Sequence, residues 1–128
     1  MVRGIADAFE REMSTDHRKL SAFTLADEFA IRVYTVTRNF PKEELYGIRT
    51  QIRRAAFSAP TNIVEGCARE SSRERARFME IAFASREAIY LIEVASRLGL
   101  MNRELSAELA LFGGRVAAAL AALRKSMA

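Results

Sequence analysis

FPKEELYGIRTQIRRAAFSAPTNIVEGCARESS, residues 40–72, decides the fold. Pro41 suits the first position of a helix, and Glu43 and Glu44 are favourable in its first turn. From there to about Cys67 the apolar residues recur at helical spacing. At about 100° per residue, Leu45, Ile48, Ile52, Ala55, Ala56, Ala59 and Ile63 share one face. Tyr46, Phe57 and Val64 gather on a second side, so this helix is either buried on both or shared with another subunit. Pro60 removes one backbone donor inside the pattern and is expected to bend the helix without ending it. Gly66 is the expected terminator, and Ser71 with Glu74 forms a capping box for the next helix.

Upstream, residues 1–22 are polar and mixed in charge and read as a mobile leader. Thr24 with Asp27 is a variant capping box opening a first helix. Leu25, Phe29, Val33, Val36 and Phe40 make its apolar stripe, and Asn39-Phe40-Pro41 ends it. Downstream, a third helix over about 72–98 has the centre line Phe78, Ala82, Ser85, Ile89, Ile92 and Ser96, with Ile81 and Ala88 beside it. Met79, Phe83, Tyr90 and Val94 form its second stripe. Gly99 stands at the expected C-terminal position. Asn102 caps a fourth helix with the stripe Leu105, Leu109, Phe112, Val116, Ala119, Leu120 and Leu123. Gly113-Gly114 in its middle costs about 1 kcal/mol per glycine relative to alanine, which close approach of a neighbouring helix would offset. No alternating run bounded by turns competes. The expectation is an all-α protein, an up-and-down antiparallel four-helix bundle over residues 23–128 behind the 1–22 leader.

Half of the 128 residues are hydrophobic and 28% are charged, which suits one globular domain. No apolar run approaches the roughly 20 residues of a membrane-spanning helix. Acidic residues interrupt the N-terminus where a signal peptide needs its apolar region, so the expected address is cytoplasmic. Cys67 is the single cysteine and His17 the single histidine, which leaves no internal disulfide, no metal site and no cofactor to expect. Seventeen arginines stand against three lysines. That bias reads either as the codon usage of a GC-rich genome or as a preference for arginine's phosphate-matching fork. Seven arginines lie between residues 49 and 77, against three glutamates. Their excess equals the +4 formal net charge of the whole chain.

With these residues in place, the run from FPKEELYG through QIRRAA, PTNIVEG and RFMEIA to Met101 resembles the bacterial four-helix-bundle family of 23S rRNA intervening-sequence proteins. The similarity covers about residues 23–124. It implies an antiparallel bundle assembled as a ring-like homopentamer with a central channel. The same fold serves as the accessory protein of diversity-generating retroelements, where a basic pentamer binds nucleic acid and a reverse transcriptase. The chain departs from the family's pattern in lacking an early tryptophan near Asp27 and Glu28. It also carries Cys67 where an aromatic residue is common.

Arg49, Arg53, Arg54, Arg69, Arg73, Arg75 and Arg77 are the candidate nucleic-acid-binding residues, acting by charge neutralisation of RNA or DNA backbones. The competing reading is a solvated face with intersubunit ion pairs to Glu70, Glu74 or Glu80. No aromatic residue is interleaved with these arginines, which argues against reading of single-stranded bases. Tyr46, Phe57, Val64, Met79, Phe83, Tyr90 and Val94 are the candidate oligomer interface, with a ligand pocket as the alternative. Pro41, Pro60, Asn62, Glu65 and Gly66 are structural candidates. Asn62 and Glu65 would satisfy backbone groups freed by Pro60 or pair with Arg53 or Arg69. Glu65 as a general base lacks a nucleophile or second acid at useful spacing, so no enzyme is expected. The rival to nucleic-acid binding is a scaffold that docks another protein, such as a reverse transcriptase, without touching nucleic acid.

Overall fold

The structure is a computed structural model and describes residues 17–44, 47–67, 71, 73–74, 77, 80 and 86–126. Among them are four α-helices and no strand: α1 His17–Thr37, α2 Ile48–Cys67, α3 Glu87–Arg97 and α4 Arg103–Ser126. Arg73, Glu74, Arg77 and Glu80, ahead of α3, are helical as well. Among the described residues each helix touches two neighbours, in the cyclic order α1, α2, α3, α4, with no diagonal contact between helices. Cross-helix pairs run in opposite senses along partner helices. Thr37 meets Arg53 and Tyr34 meets Phe57 on α1 and α2. Arg32 meets Glu108 and Phe29 meets Phe112 on α1 and α4. These pairings make an antiparallel four-helix bundle.

Alanines interleave with large aliphatic residues in the core. Ala22, Ala26 and Ala30 of α1, Ala55, Ala56 and Ala59 of α2, and Ala88 and Ala95 of α3 are buried, around Ile52, Ile63, Ile92, Leu109, Leu120 and Leu123. Alanine faces let helix axes approach closely, at the lower end of the usual interaxial range. The expected faces of α2 and α4 are the buried ones, with Leu105, Phe112 and Ala119 half-buried at the edge. On α3 the buried arc is centred on Ala88, Ile92 and Ala95, with Leu91, while Ile89 and Ser96 are only half-buried. The face is thus turned by roughly one residue from the expected centre line.

Three boundaries differ from expectation. Helix α1 begins at His17, so Thr24 lies inside it as an exposed residue and caps nothing. No proline or glycine interrupts residues 17–24, and Ala22 is wholly buried, so packing carries the helix past a local cap signal. Residues 1–16 of the expected leader lie outside the described residues. Helix α2 does not start at Pro41: that proline precedes a 3₁₀ turn, Lys42–Glu44, and the first turn of α2 holds no acidic residue. Phe40, buried at the end of α1, pins this corner to the core, and the Gly47 carbonyl accepts Gln51 N–H at 3.3 Å as α2 begins. Gly66 is helical and buried and so is not itself the terminator, although α2 reaches Cys67, the end expected for it. Leu45 and Tyr46 lie outside the described residues.

The other local signals act as expected. Glu74 N–H donates to Ser71 Oγ at 3.0 Å, and Leu105 N–H donates to Asn102 Oδ1 at 2.7 Å, so both residues cap helices. Gly99 has φ +76°, Leu100 N–H reaches Ala95 O at 2.9 Å, and Gly99 N–H reaches Ser96 O at 3.0 Å. That pair of bonds is a Schellman motif closing α3. Helix α4 carries Glu104 in its first turn and Arg124 and Lys125 in its last, in accord with its dipole. Against the expectation of no sufficiently apolar run, α4 is long and apolar enough to cross a membrane by length and composition. Much of that apolarity is alanine spread round the helix, while Leu109, Val116, Leu120 and Leu123 face the core.

The two mid-helix glycines of α4 have different reasons. A Cβ on Gly113 would lie 2.7 Å from Ile89 Cγ1 of α3 and 3.2 Å from Phe29 Cζ of α1, whereas one on Gly114 would meet nothing. Gly113→Ala is therefore expected to destabilise the fold by about 1 kcal/mol or more through overpacking. Gly114→Ala is expected to stabilise it by about 0.5–1 kcal/mol through helix propensity. Urea unfolding of the two variants checks this; equal effects would contradict the packing account.

Candidate nucleic-acid interface

The expected arginine cluster divides. Arg49, Arg53 and Arg54 sit in the first two turns of α2, whereas Arg73 and Arg77 follow its far end. From Arg54 to Cys67 the helix alone advances roughly 20 Å at about 1.5 Å per residue. A charge excess continuous in sequence is thus displayed at two ends of one helix. Arg54, Arg73 and Arg77 are exposed, and Arg49 and Arg53 half-buried. Arg69 and Arg75 lie outside the described residues.

Arg53 is engaged by the fold. Its Nε donates to Thr37 Oγ1 at 2.8 Å and its Nη2 to the Tyr34 carbonyl at 3.1 Å. Thr37 is fully buried, and its hydroxyl donates toward the Val33 and Tyr34 carbonyls at 2.9 and 3.1 Å. A cation thereby meets the carbonyl-bearing end of α1, where the helix dipole is negative. The Arg53 guanidinium also stacks on the Tyr34 ring, with Cζ 3.8 Å from its centroid, and Phe57 meets that ring edge-on at 6.4 Å.

Two residues of this corner are absent from the sequence expectations. Tyr34 is 41% exposed, and Arg38, one turn further along α1, places its Cζ 5.5 Å from the same ring. The expectation that no aromatic residue is interleaved with the arginines is thus corrected. Tyr34 belongs to a different helix and reaches Arg53 only through the α1–α2 pairing. The spacing Tyr34–Arg38, together with Arg53–Phe57 on α2, is the signal that was available, since residues four apart share a helix face. Among the described residues, neither Arg38 nor Arg54 has a carboxylate partner, whereas Arg32 pairs with Glu108 at 3.0 Å.

Asn62 does bond the backbone, but not the carbonyl that Pro60 leaves without its usual donor, which is that of Ala56. Its Nδ2 donates to the Ser58 carbonyl at 2.8 Å. Pro60 is inside α2 and buried, and Glu65 is exposed. Of the expected interface residues, Phe57 and Val64 are half-buried against the chain's own core, Val94 is half-buried, and Tyr90 is 58% exposed. Tyr46, Met79 and Phe83 lie outside the described residues. Cys67 is a buried thiol at the last position of α2, and His17 is the first residue of α1.

Opposite the arginine corner, a groove of about 740 Å³ runs between α3 and α4, lined by residues that include Glu93, Arg97, Arg103 and Ser106. The Ser106 hydroxyl is turned onto the Ile92 carbonyl at 3.4 Å. Among the described residues, no three His, Cys, Asp or Glu side chains gather to hold a metal ion.

Fold and site together define a small helical bundle with a basic corner and an exposed aromatic ring. The chain belongs to the 23S rRNA-intervening sequence protein family, whose model matches residues 18–121. A crystal structure of a protein of unknown function from the S23 ribosomal protein family of Bacteroides thetaiotaomicron superposes with a TM-score of 0.78. It is 21% identical, over 84% of this chain and 98% of that one, a likeness of fold. No curated protein matches the chain.

The adjacent arginines of α2 are expected to behave differently. Arg53→Ala should lower stability by about 1–3 kcal/mol, because it removes the donors to the buried Thr37 Oγ1 and to the Tyr34 carbonyl at the end of α1. Arg53→Lys should restore only part of this, since an ammonium cannot reproduce the fork. Arg54→Ala should stay within about 0.5 kcal/mol. Chemical denaturation of the three variants measures the contrast.

Proposed function

We propose that the protein is a non-enzymatic, cytoplasmic, homo-oligomeric bundle that binds RNA or DNA through the phosphate backbone. The observation that carries this reading is the α1–α2 corner, where Arg38 and Arg54 are exposed without a described carboxylate partner, beside Arg49 and Arg53. Exposed Arg73 and Arg77 extend the basic surface beyond the far end of α2. Guanidinium groups in this state release condensed counterions from a nucleic-acid backbone without reading its sequence. Membership of a family named for an intervening sequence of 23S rRNA is consistent with an RNA partner.

Self-association is supported by large apolar side chains left in solvent: Tyr90, Leu98 at 62% and Leu111 at 73% exposure. The family resemblance favours a homopentameric ring, which would repeat each basic corner around an axis. The same apolar residues favour a second reading, a scaffold that docks a partner protein such as a reverse transcriptase and leaves nucleic acid untouched.

Retention of labelled RNA and DNA at low salt, falling steeply as salt rises, is the expected result. Arg54→Ala should reduce the salt slope by about one contact, and so should Arg77→Ala, with little change in fold. No retention of either polymer at low salt would favour the scaffold. Light scattering should give a multiple of the 14.4 kDa chain mass; a single-chain mass would overturn the oligomer.

A further inference from the structure

We infer that Tyr34 is a stacking platform for an unpaired nucleobase, which makes the α1–α2 corner a site for single-stranded RNA or DNA. The inference rests on the phosphate-backbone reading and adds to it what the corner reads. Tyr34 combines exposure with rigidity. Its ring is 41% exposed, yet Arg53 holds one face at 3.8 Å and Phe57 abuts it edge-on at an interplanar angle of 81°. Arg53 is itself fixed by hydrogen bonds to the buried Thr37 hydroxyl and the Tyr34 carbonyl, so it supports the ring from the protein side. A ring held in this way loses little freedom when a base lies against its solvent side.

The surrounding charge selects the ligand. Arg38 approaches the same ring at 5.5 Å from a side chain in solvent, and Arg54 is exposed next to Arg53. With no described carboxylate partner, the Arg38 and Arg54 cations are available for the phosphates flanking a stacked base, and the guanidinium plane of Arg38 for the base itself. An apolar protein segment would leave these cations uncompensated, and a duplex offers no free base face to the ring. Single strands satisfy both requirements. Stacking is tolerant of sequence because every base has a π-face, so this site discriminates strandedness and not sequence.

The test compares fluorescence anisotropy of short single-stranded oligonucleotides with that of abasic strands of equal length and charge, on the full chain. The wild type should bind the base-bearing strand roughly tenfold more tightly, the value of about one stacked base. Tyr34→Leu should abolish this preference, and Tyr34→Phe should keep it. Equal binding of the two strands by the wild type would overturn the stacking platform and leave the backbone reading standing. A preference that survives in Tyr34→Leu would overturn the assignment to Tyr34. Failure to bind any strand at low salt would remove the backbone reading and this inference with it. Equal binding by the wild type overturns the platform even where Tyr34→Leu fails to fold, and Tyr34→Phe then serves as the folded variant that must keep the preference.

Discussion

Close approach of helices through alanine is the constraint on which the rest of this structure depends. Buried alanines of α1, α2 and α3 set the spacing at the contacts, and Gly113 extends the same demand to α4. A buried methyl group removes far less apolar surface from water than a leucine side chain does. The bundle therefore leans on its ends: the caps of Ser71 and Asn102, the Schellman turn at Gly99, and the Arg53 bonds at the end of α1. Part of the chain's larger apolar inventory, Tyr90, Leu98 and Leu111 among it, stays on the outside.

Arg53 and Arg54 show how one dipeptide is divided by helix geometry. A step of about 100° takes Arg53 into the seam with α1 and leaves Arg54 in solvent. The first organises the corner and the second displays charge on it. Because Arg53 supports Tyr34, the residue that stabilises the α1–α2 pairing also positions the exposed ring. Fold and candidate site thus share one guanidinium.

The helix ends that depend on local chemistry were legible in the sequence. Serine or asparagine three residues ahead of a backbone donor, and glycine at a left-handed position, work the same way wherever they occur. Signals that tertiary packing overrides were misleading. Thr24 has the composition of a cap, but Ala22 ahead of it is core, and alanine carries too weak an apolar signature to announce that. The α3 face was misjudged because Ile89 outranks Ala88 and Ala95 in hydrophobicity, whereas the α4 wall admits it only beside Gly113. The arginine excess was visible as a number. Its division between the two ends of α2, and the part played by Tyr34 and Arg38, are products of helix pairing that no single helix encodes.

Gly113 has a consequence of another kind. Alanines on a helix face mark one turn from the next only weakly, so axial register depends on where larger side chains lodge. Ile89 lodged against Gly113, where a Cβ would lie 2.7 Å from its Cγ1, acts as a detent. It distinguishes a single axial register of α3 on α4 from neighbouring ones a turn away. The axial register of α3 on α4 is thus set in part by a missing atom.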